Sequence, residues 1–150
     1  MEPKQILIID NDIFYQELLS DILTQQGFFV KKASDGLEGL EIVKQEQFYC
    51  LFVDLIMPNI DGEKFIKCIR EDHQLKKIPI VLVSGALAEE SPYLDEVGAD
   101  FFLYKGSAES LKQNVLEIIK KLATGEKEEK ILGAEGMFKR AVVKELISLR

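Results

Sequence analysis

Five residues at four places in the chain could together carry phosphoryl chemistry. Asp10 and Asn11 follow the apolar run Gln5–Ile9, Asp54 closes Phe48–Asp54, Ser84 closes Ile78–Ser84, and Lys105 closes Asp100–Lys105. A carboxylate can act as a nucleophile toward phosphorus, and carboxylate and amide oxygens are hard ligands suited to Mg²⁺. A hydroxyl and an ammonium can bind phosphoryl oxygens. Each has a plainer role taken alone. Asp10 could start a helix, Asp12 reads as the cap of the first helix, and Asp54 could cap a turn. Ser84 is of a type common at strand ends, and Lys105 could be a solvated charge. The argument for a site is their shared station at the ends of four apolar runs.

The elements that must position them alternate between two periods. "QILII", "FFVKKA", "FYCLFVD", "IPIVLVS" and "DFFLYK" read as five strands, several of them continuous apolar runs of the kind covered on both faces. Between them lie helical patterns. Phe14, Leu18, Leu19, Ile22 and Leu23 stripe a helix ending at Gly27, and Asp35 with Glu38 has capping-box spacing before a second helix. Helices are also expected over Glu63–Asp72 and, around Pro92, over Ala86–Val97. Another is striped by Leu111, Val115, Ile118, Ile119 and Leu122. Pro58 and Asp61-Gly62 mark the turn in "LIMPNIDG". Five strand–helix units in strict alternation predict an α/β fold, a doubly wound five-stranded parallel sheet. In such a sheet ligands bind beyond the carboxyl ends of the strands.

The chain divides into a domain over 1–122, a polar linker over 123–133 and an amphipathic helix over 134–150. Phe138, Val142, Leu146 and Leu149 stripe this last helix, which is expected to lead into a further domain. Residues 120–150 carry 8 Lys and Arg against 5 Glu, and the remainder 11 against 21. So acidic a domain argues against direct nucleic-acid binding and suits cations or basic partners. No apolar run approaches a membrane span and no signal-peptide pattern opens the sequence, so a cytoplasmic setting is expected. Cys50 and Cys68, in apolar surroundings without metal-ligand spacing, are expected as reduced core thiols. His73, the only histidine, lies in the polar "EDHQLKK" and reads as solvated.

"ILIIDND", "LFVDLIMPNIDG", "IVLVSG" and "GADFFLYK" resemble the response-regulator receiver family over roughly residues 4–122. The resemblance implies a flavodoxin-like fold with strand order 2-1-3-4-5 and a place in two-component phosphorelay signalling. It further implies that Asp54 accepts a phosphoryl group from a histidine kinase. Mg²⁺ would be held by Asp10, Asn11, Asp54 and the backbone carbonyl of Ile56. Ser84 and Lys105 would bind the phosphoryl group, and Ser84 and Phe102 would form the switch, with Tyr104 a second aromatic candidate for partner contact. Such a protein transfers phosphate to itself and is not an enzyme in the usual sense. Its implied partners are the kinase and a downstream output domain or protein, and a homodimer is compatible with it.

Two positions depart from the family pattern. Asn11 stands where a second acidic ligand is usual, at an expected cost of roughly 1–3 kcal/mol in metal binding, about tenfold to a hundredfold in affinity. Gly106 follows Lys105 where proline with a cis bond is usual, so a trans bond and a looser loop are expected. Gly85 should leave open space beside Ser84, and the bulky Ile56 should slow loss of phosphate by hindering water. Asn11 and Gly106 also support an alternative, a phosphorylation-independent interaction module. A remoter one rests on Asp10-Asn11-Asp12 as a D-x-D, which resembles the haloacid dehalogenase-like phosphatases with Asp10 as nucleophile and Asp12 as general acid. Against it, Phe14 stands where Thr or Val is preferred, and no cap domain or later acidic pair follows.

Overall fold

The computed structural model describes residues 4–85, 97–125, 131–133 and 136–138. In order these form β1 (Gln5–Ile9), α1 (Ile13–Gln25), β2 (Phe29–Ala33), α2 (Gly36–Gln45), β3 (Cys50–Asp54) and α3 (Gly62–Glu71). There follow β4 (Ile80–Ser84), β5 (Phe101–Tyr104), α4 (Ala108–Thr124), β6 (Ile131–Gly133) and β7 (Gly136–Phe138). The first five strands make the expected parallel sheet in the order β2-β1-β3-β4-β5.

The continuous apolar strands are explained by two cores. Leu7, Ile9, Leu51, Val53, Leu82 and Phe102 point to one face, against Val43 of α2 and Phe65, Ile66 and Ile69 of α3. Their neighbours Ile6, Ile8, Phe52, Val81, Val83 and Leu103 point to the other, against Leu19, Ile22 and Leu23 of α1 and Leu111, Val115 and Ile118 of α4. Alternation of period two on a sheet covered on both sides removes every strand side chain of this kind from water. Caps close the helices as expected. Asp35 accepts from Glu38 N–H at 2.9 Å while Glu38 reaches back to Ser34 N–H at 3.1 Å, and the Ser107 hydroxyl accepts from Ser110 N–H at the start of α4.

Several expectations need correction. The sheet has seven strands, because β6 pairs parallel with β5 and β7 pairs antiparallel with β6. Residues 123 and 124 therefore belong to α4, which Gly125 ends in a left-handed conformation, and Ile131–Gly133 is strand instead of linker. Gly136–Phe138, expected to open the amphipathic helix, is strand too. Gly133 and Gly136 each disfavour a helix by about 1 kcal/mol, and the apolar Ile131-Leu132 backbone supplies the edge of β5 with partners. The rest of that expected helix, residues 139–150, and the one expected up to Val97, residues 86–96, lie outside the described residues. Phe14 is off the buried stripe of α1, at 66 % exposure, because the first turn overhangs the carboxyl edge of the sheet. Cys50 is buried, and burial pushes its thiol pKa up. Cys68 is exposed, lying on α3 outside the Phe65, Ile66 and Ile69 stripe.

Candidate functional site

β1 delivers Asp10. Its N–H continues the sheet by donating to the Ala33 carbonyl at 3.0 Å, and the buried Gln16 amide of α1 donates to the carbonyls of both Asp10 and Ala33 at 3.1 Å. The chain then turns sharply, with Asp12 N–H donating to Asp10 Oδ1 at 2.8 Å. Asp12 caps α1, its Oδ1 accepting from the N–H groups of Phe14 and Tyr15. Within the D-x-D, then, the first carboxylate is buried at 2 % exposure and the second is engaged by a helix terminus.

β3 delivers Asp54, 6 % exposed. The turn after it is tied back to the sheet by Leu55 N–H to the Val83 carbonyl and Gly62 N–H to the Leu55 carbonyl, both at 2.8 Å. Asn59 takes the left-handed conformation, and Asp61 caps α3 through Lys64 N–H. Glycine is required at 62, because a Cβ there would lie 2.5 Å from the Asp54 carbonyl oxygen. β4 ends in the buried Ser84, and a Cβ on Gly85 beside it would meet nothing within 4 Å, the open space expected. Lys105 follows β5, its N–H donating to the Ser84 carbonyl at 2.8 Å. The described residues contain no cis peptide bond, so Lys105-Gly106 is trans as expected.

The four strand ends meet. Lys105 Nζ lies 2.8 Å from Asp10 Oδ2 and 3.3 Å from Asp54 Oδ1. Beside this triad opens a cleft of about 400 Å³ lined by Asn11, Asp12, Tyr15, Asp54, Ile56, Ser84, Gly85 and Lys105. Burial and the neighbouring Asp10 charge push the Asp54 pKa up to about 6, against the opposing pull of Lys105. Burial alone would lower the Lys105 ammonium, but the bonds and charges of Asp10 and Asp54 outweigh it and raise it.

A hard cation fits these residues in part. Asp10 Oδ2 is buried without a well-formed hydrogen bond, its charge partner being the ammonium, and Asp54 Oδ1 is close to the same point. Such oxygens, with the Asn11 amide on the cleft wall, are the donor types Mg²⁺ takes. No group of three His, Cys, Asp or Glu that could hold a metal occurs among the described residues. Ile56 stands on the rim at 71 % exposure. Phe102 is core, in the cluster that includes Val97 and Ala99, and Tyr104 is half-buried against the same cluster. His73 is exposed, as expected. Sequence reasoning missed Tyr15, whose signal was its place in the first turn of a helix that starts at the site. It also missed Gln16, a polar residue inside an apolar stripe.

Residues 6–120 match the response regulator receiver domain family, and the chain belongs to it. It is thus a receiver domain of two-component signalling. Among curated relatives, it is 32% identical over 85 residues to a probable chemotaxis protein CheY of Rhizobium etli, covering 56% of this chain and 66% of that one. It is 33% identical over 108 residues to the probable transcriptional regulator ycf27 of Guillardia theta, covering 70% of this chain and 41% of that one. The chain therefore spans less than two thirds of the length of these relatives. Among solved structures, CheY4 of Vibrio cholerae superimposes with a TM-score of 0.72 at 26% identity, over 80% of this chain and 98% of that one. TrrA of Thermotoga maritima, solved in complex with Mg²⁺–BeF, gives 0.69 at 28% identity, over 79% and 98%. The phosphatase resemblance of the D-x-D is not sustained, since Asp12 serves as a helix cap. Among the described residues no helix is long and apolar enough to cross a membrane.

Proposed function

We propose that Asp54 accepts a phosphoryl group from the phosphohistidine of a histidine kinase, with Mg²⁺ held by Asp10, Asn11, Asp54 and the Ile56 carbonyl. The observation that carries this reading is the Lys105 ammonium set between Asp10 and Asp54 at 2.8 and 3.3 Å beside an open cleft. A pKa of about 6 leaves Asp54 ionised by about ten to one at pH 7, and burial makes it more basic than a free carboxylate. An Asp54 oxygen attacks phosphorus, the donor's phosphorus–nitrogen bond breaks, and its electron pair stays on the imidazole, which takes up a proton. Lys105 and the Ser84 hydroxyl bind the transferred oxygens. Bound Mg²⁺ supplies positive charge against the phosphoryl and carboxylate oxygens, with one ligand charge fewer than usual because of Asn11.

The new bonds to Ser84 and Lys105 favour one of two conformations of the surface around β5, and Phe102, buried in the cluster that includes Val97 and Ala99, registers which. The readout belongs to an output domain or a separate target protein, and a homodimer is one form it could take. The similarity to transcriptional regulators of which this chain spans only part supports an attached output domain.

The test is Mg²⁺ titration followed by beryllofluoride, which with Mg²⁺ mimics an aspartyl phosphate, read by NMR on wild type, Asn11→Asp and Asp54→Ala. Binding in the wild type, about tenfold to a hundredfold tighter Mg²⁺ in Asn11→Asp and none of the beryllofluoride response in Asp54→Ala is the expected result. Silence in both the wild type and Asn11→Asp overturns the reading. The domain would then be a constitutive protein-binding module, the alternative that Asn11 and Gly106 support.

A further inference from the structure

One aromatic ring of the cleft has no part in the chemistry above. Tyr15 occupies the first turn of α1, its backbone N–H 3.4 Å from the capping oxygen of Asp12. The Lys105 ammonium lies over its ring, 4.8 Å from the centroid, within the range of cation–π attraction. The Tyr15 hydroxyl donates to the Gly106 carbonyl at 3.4 Å. The exposed Phe14 stands edge-on to the ring, with centroids 5.3 Å apart at 85°. A single side chain thus touches two consecutive residues of the loop between β5 and α4. That loop needs support. Residues 105–107 are neither strand nor helix, and Gly106 adds backbone freedom just where a long, flexible lysine must aim its charge.

We propose that Tyr15 is the positioning residue for Lys105. Its ring holds the ammonium over the cleft while its hydroxyl anchors the Gly106 carbonyl. The benefit to phosphoryl transfer rests on the proposed role of Lys105; the placement of the ammonium does not. The cap on Asp12 then serves the site indirectly, by orienting the turn that carries Tyr15.

The experiment compares wild type, Tyr15→Phe and Tyr15→Leu by two readouts. The first is the position of the Lys105 side chain in metal-free buffer, read from its nuclear Overhauser contacts to the Asp10 and Asp54 methylene protons. The second is the rate of Asp54 phosphorylation by phosphoramidate. These contacts should persist in Tyr15→Phe and weaken in Tyr15→Leu, and the rate in Tyr15→Leu should fall by about twofold to thirtyfold, the worth of a cation–π contact. Retention of most of the rate in Tyr15→Phe separates positioning from a general loss of structure. Lys105 contacts unchanged in Tyr15→Leu overturn the proposal; a displaced Lys105 with an unchanged rate upholds the placement and refutes its benefit to transfer. If no variant is phosphorylated, the phosphoacceptor reading fails by itself, and the Lys105 contacts still decide whether Tyr15 places the ammonium.

Discussion

Replacing Asp54 with asparagine should stabilise the fold at neutral pH. The Asp54 pKa is about 6 in the folded protein against an ordinary 3.8. The folded state therefore holds this proton more tightly than the unfolded chain does, and stability falls as pH rises from about 3.8 through about 6. Above that window the loss is complete; below it the carboxyl is neutral in both states and contributes nothing. At ~1.4 kcal/mol per pH unit, the displacement corresponds to about 3 kcal/mol withheld at pH 7.5. Asparagine keeps the shape and removes the charge, but it also weakens the Lys105 contact at 3.3 Å. The net gain should be about 1–3 kcal/mol.

Urea unfolding of wild type and Asp54→Asn in the presence of a chelator, at steps from pH 4 to pH 7.5, measures it. The difference should be largest at pH 7.5 and should close toward pH 4. Adding Mg²⁺ should narrow the gap at pH 7.5, because a cation relieves charge crowding that only the wild type has. A less stable variant at pH 7.5, or a difference that does not change with pH, would refute the claim that Asp10 and burial strain the Asp54 charge.

Three further outcomes follow from the packing. Arg70 donates to the carbonyls of Gly98, Lys76 and Ile78 and pairs with Asp100. Arg70→Ala should cost about 2–4 kcal/mol in urea unfolding, and Arg70→Lys should recover little because lysine lacks the fork; a loss under about 1 kcal/mol would mean that water replaces these bonds. Gly62→Ala should cost about 2 kcal/mol or more, since its methyl would press on the Asp54 carbonyl, and should shift the NMR signals of Asp54 and Leu55; an unperturbed Asp54 would contradict it. Ile56→Ala should shorten the lifetime of phosphorylated Asp54, measured by phosphate release, by opening the rim to water. A wild-type half-life of only seconds would show that Ile56 is no barrier.

The fold was legible because the two periods leave different marks. Runs such as Ile6–Ile9 and Leu51–Val53 are apolar at every position, and the structure shows why: successive residues enter opposite cores. The carboxyl-edge station of Asp10, Asp54, Ser84 and Lys105 followed from that topology. What escaped depended on position within an element or on distant pairing. Phe14 fits the helical stripe by spacing, yet the first turn lies beyond the sheet it would have packed on. Cys68 has apolar sequence neighbours but falls on the outer face of α3. The strand β6 came from pairing with the edge of β5, and β7 from pairing with β6, which no local pattern encodes.

The D-x-D at Asp10-Asn11-Asp12 shows where residue types stop and backbone direction begins. A metal ligand and a helix cap use the same side chain, so composition and spacing alone fit both a phosphatase pair and a receiver pair. The hydrogen bonds separate them. Asp10 N–H still donates to Ala33 as sheet, which sends its carboxylate inward to Lys105. Asp12 N–H then closes a turn on Asp10 Oδ1, which starts α1 and commits the Asp12 oxygen to that helix's own N–H groups. Asn11 and Asp12 both line the cleft beside Asp54, Asp12 with one oxygen already bound to the helix terminus. The missing charge at position 11 is thus at most partly made up by its neighbour, because the same turn that buries Asp10 engages one Asp12 oxygen with the helix whose first turn carries Tyr15.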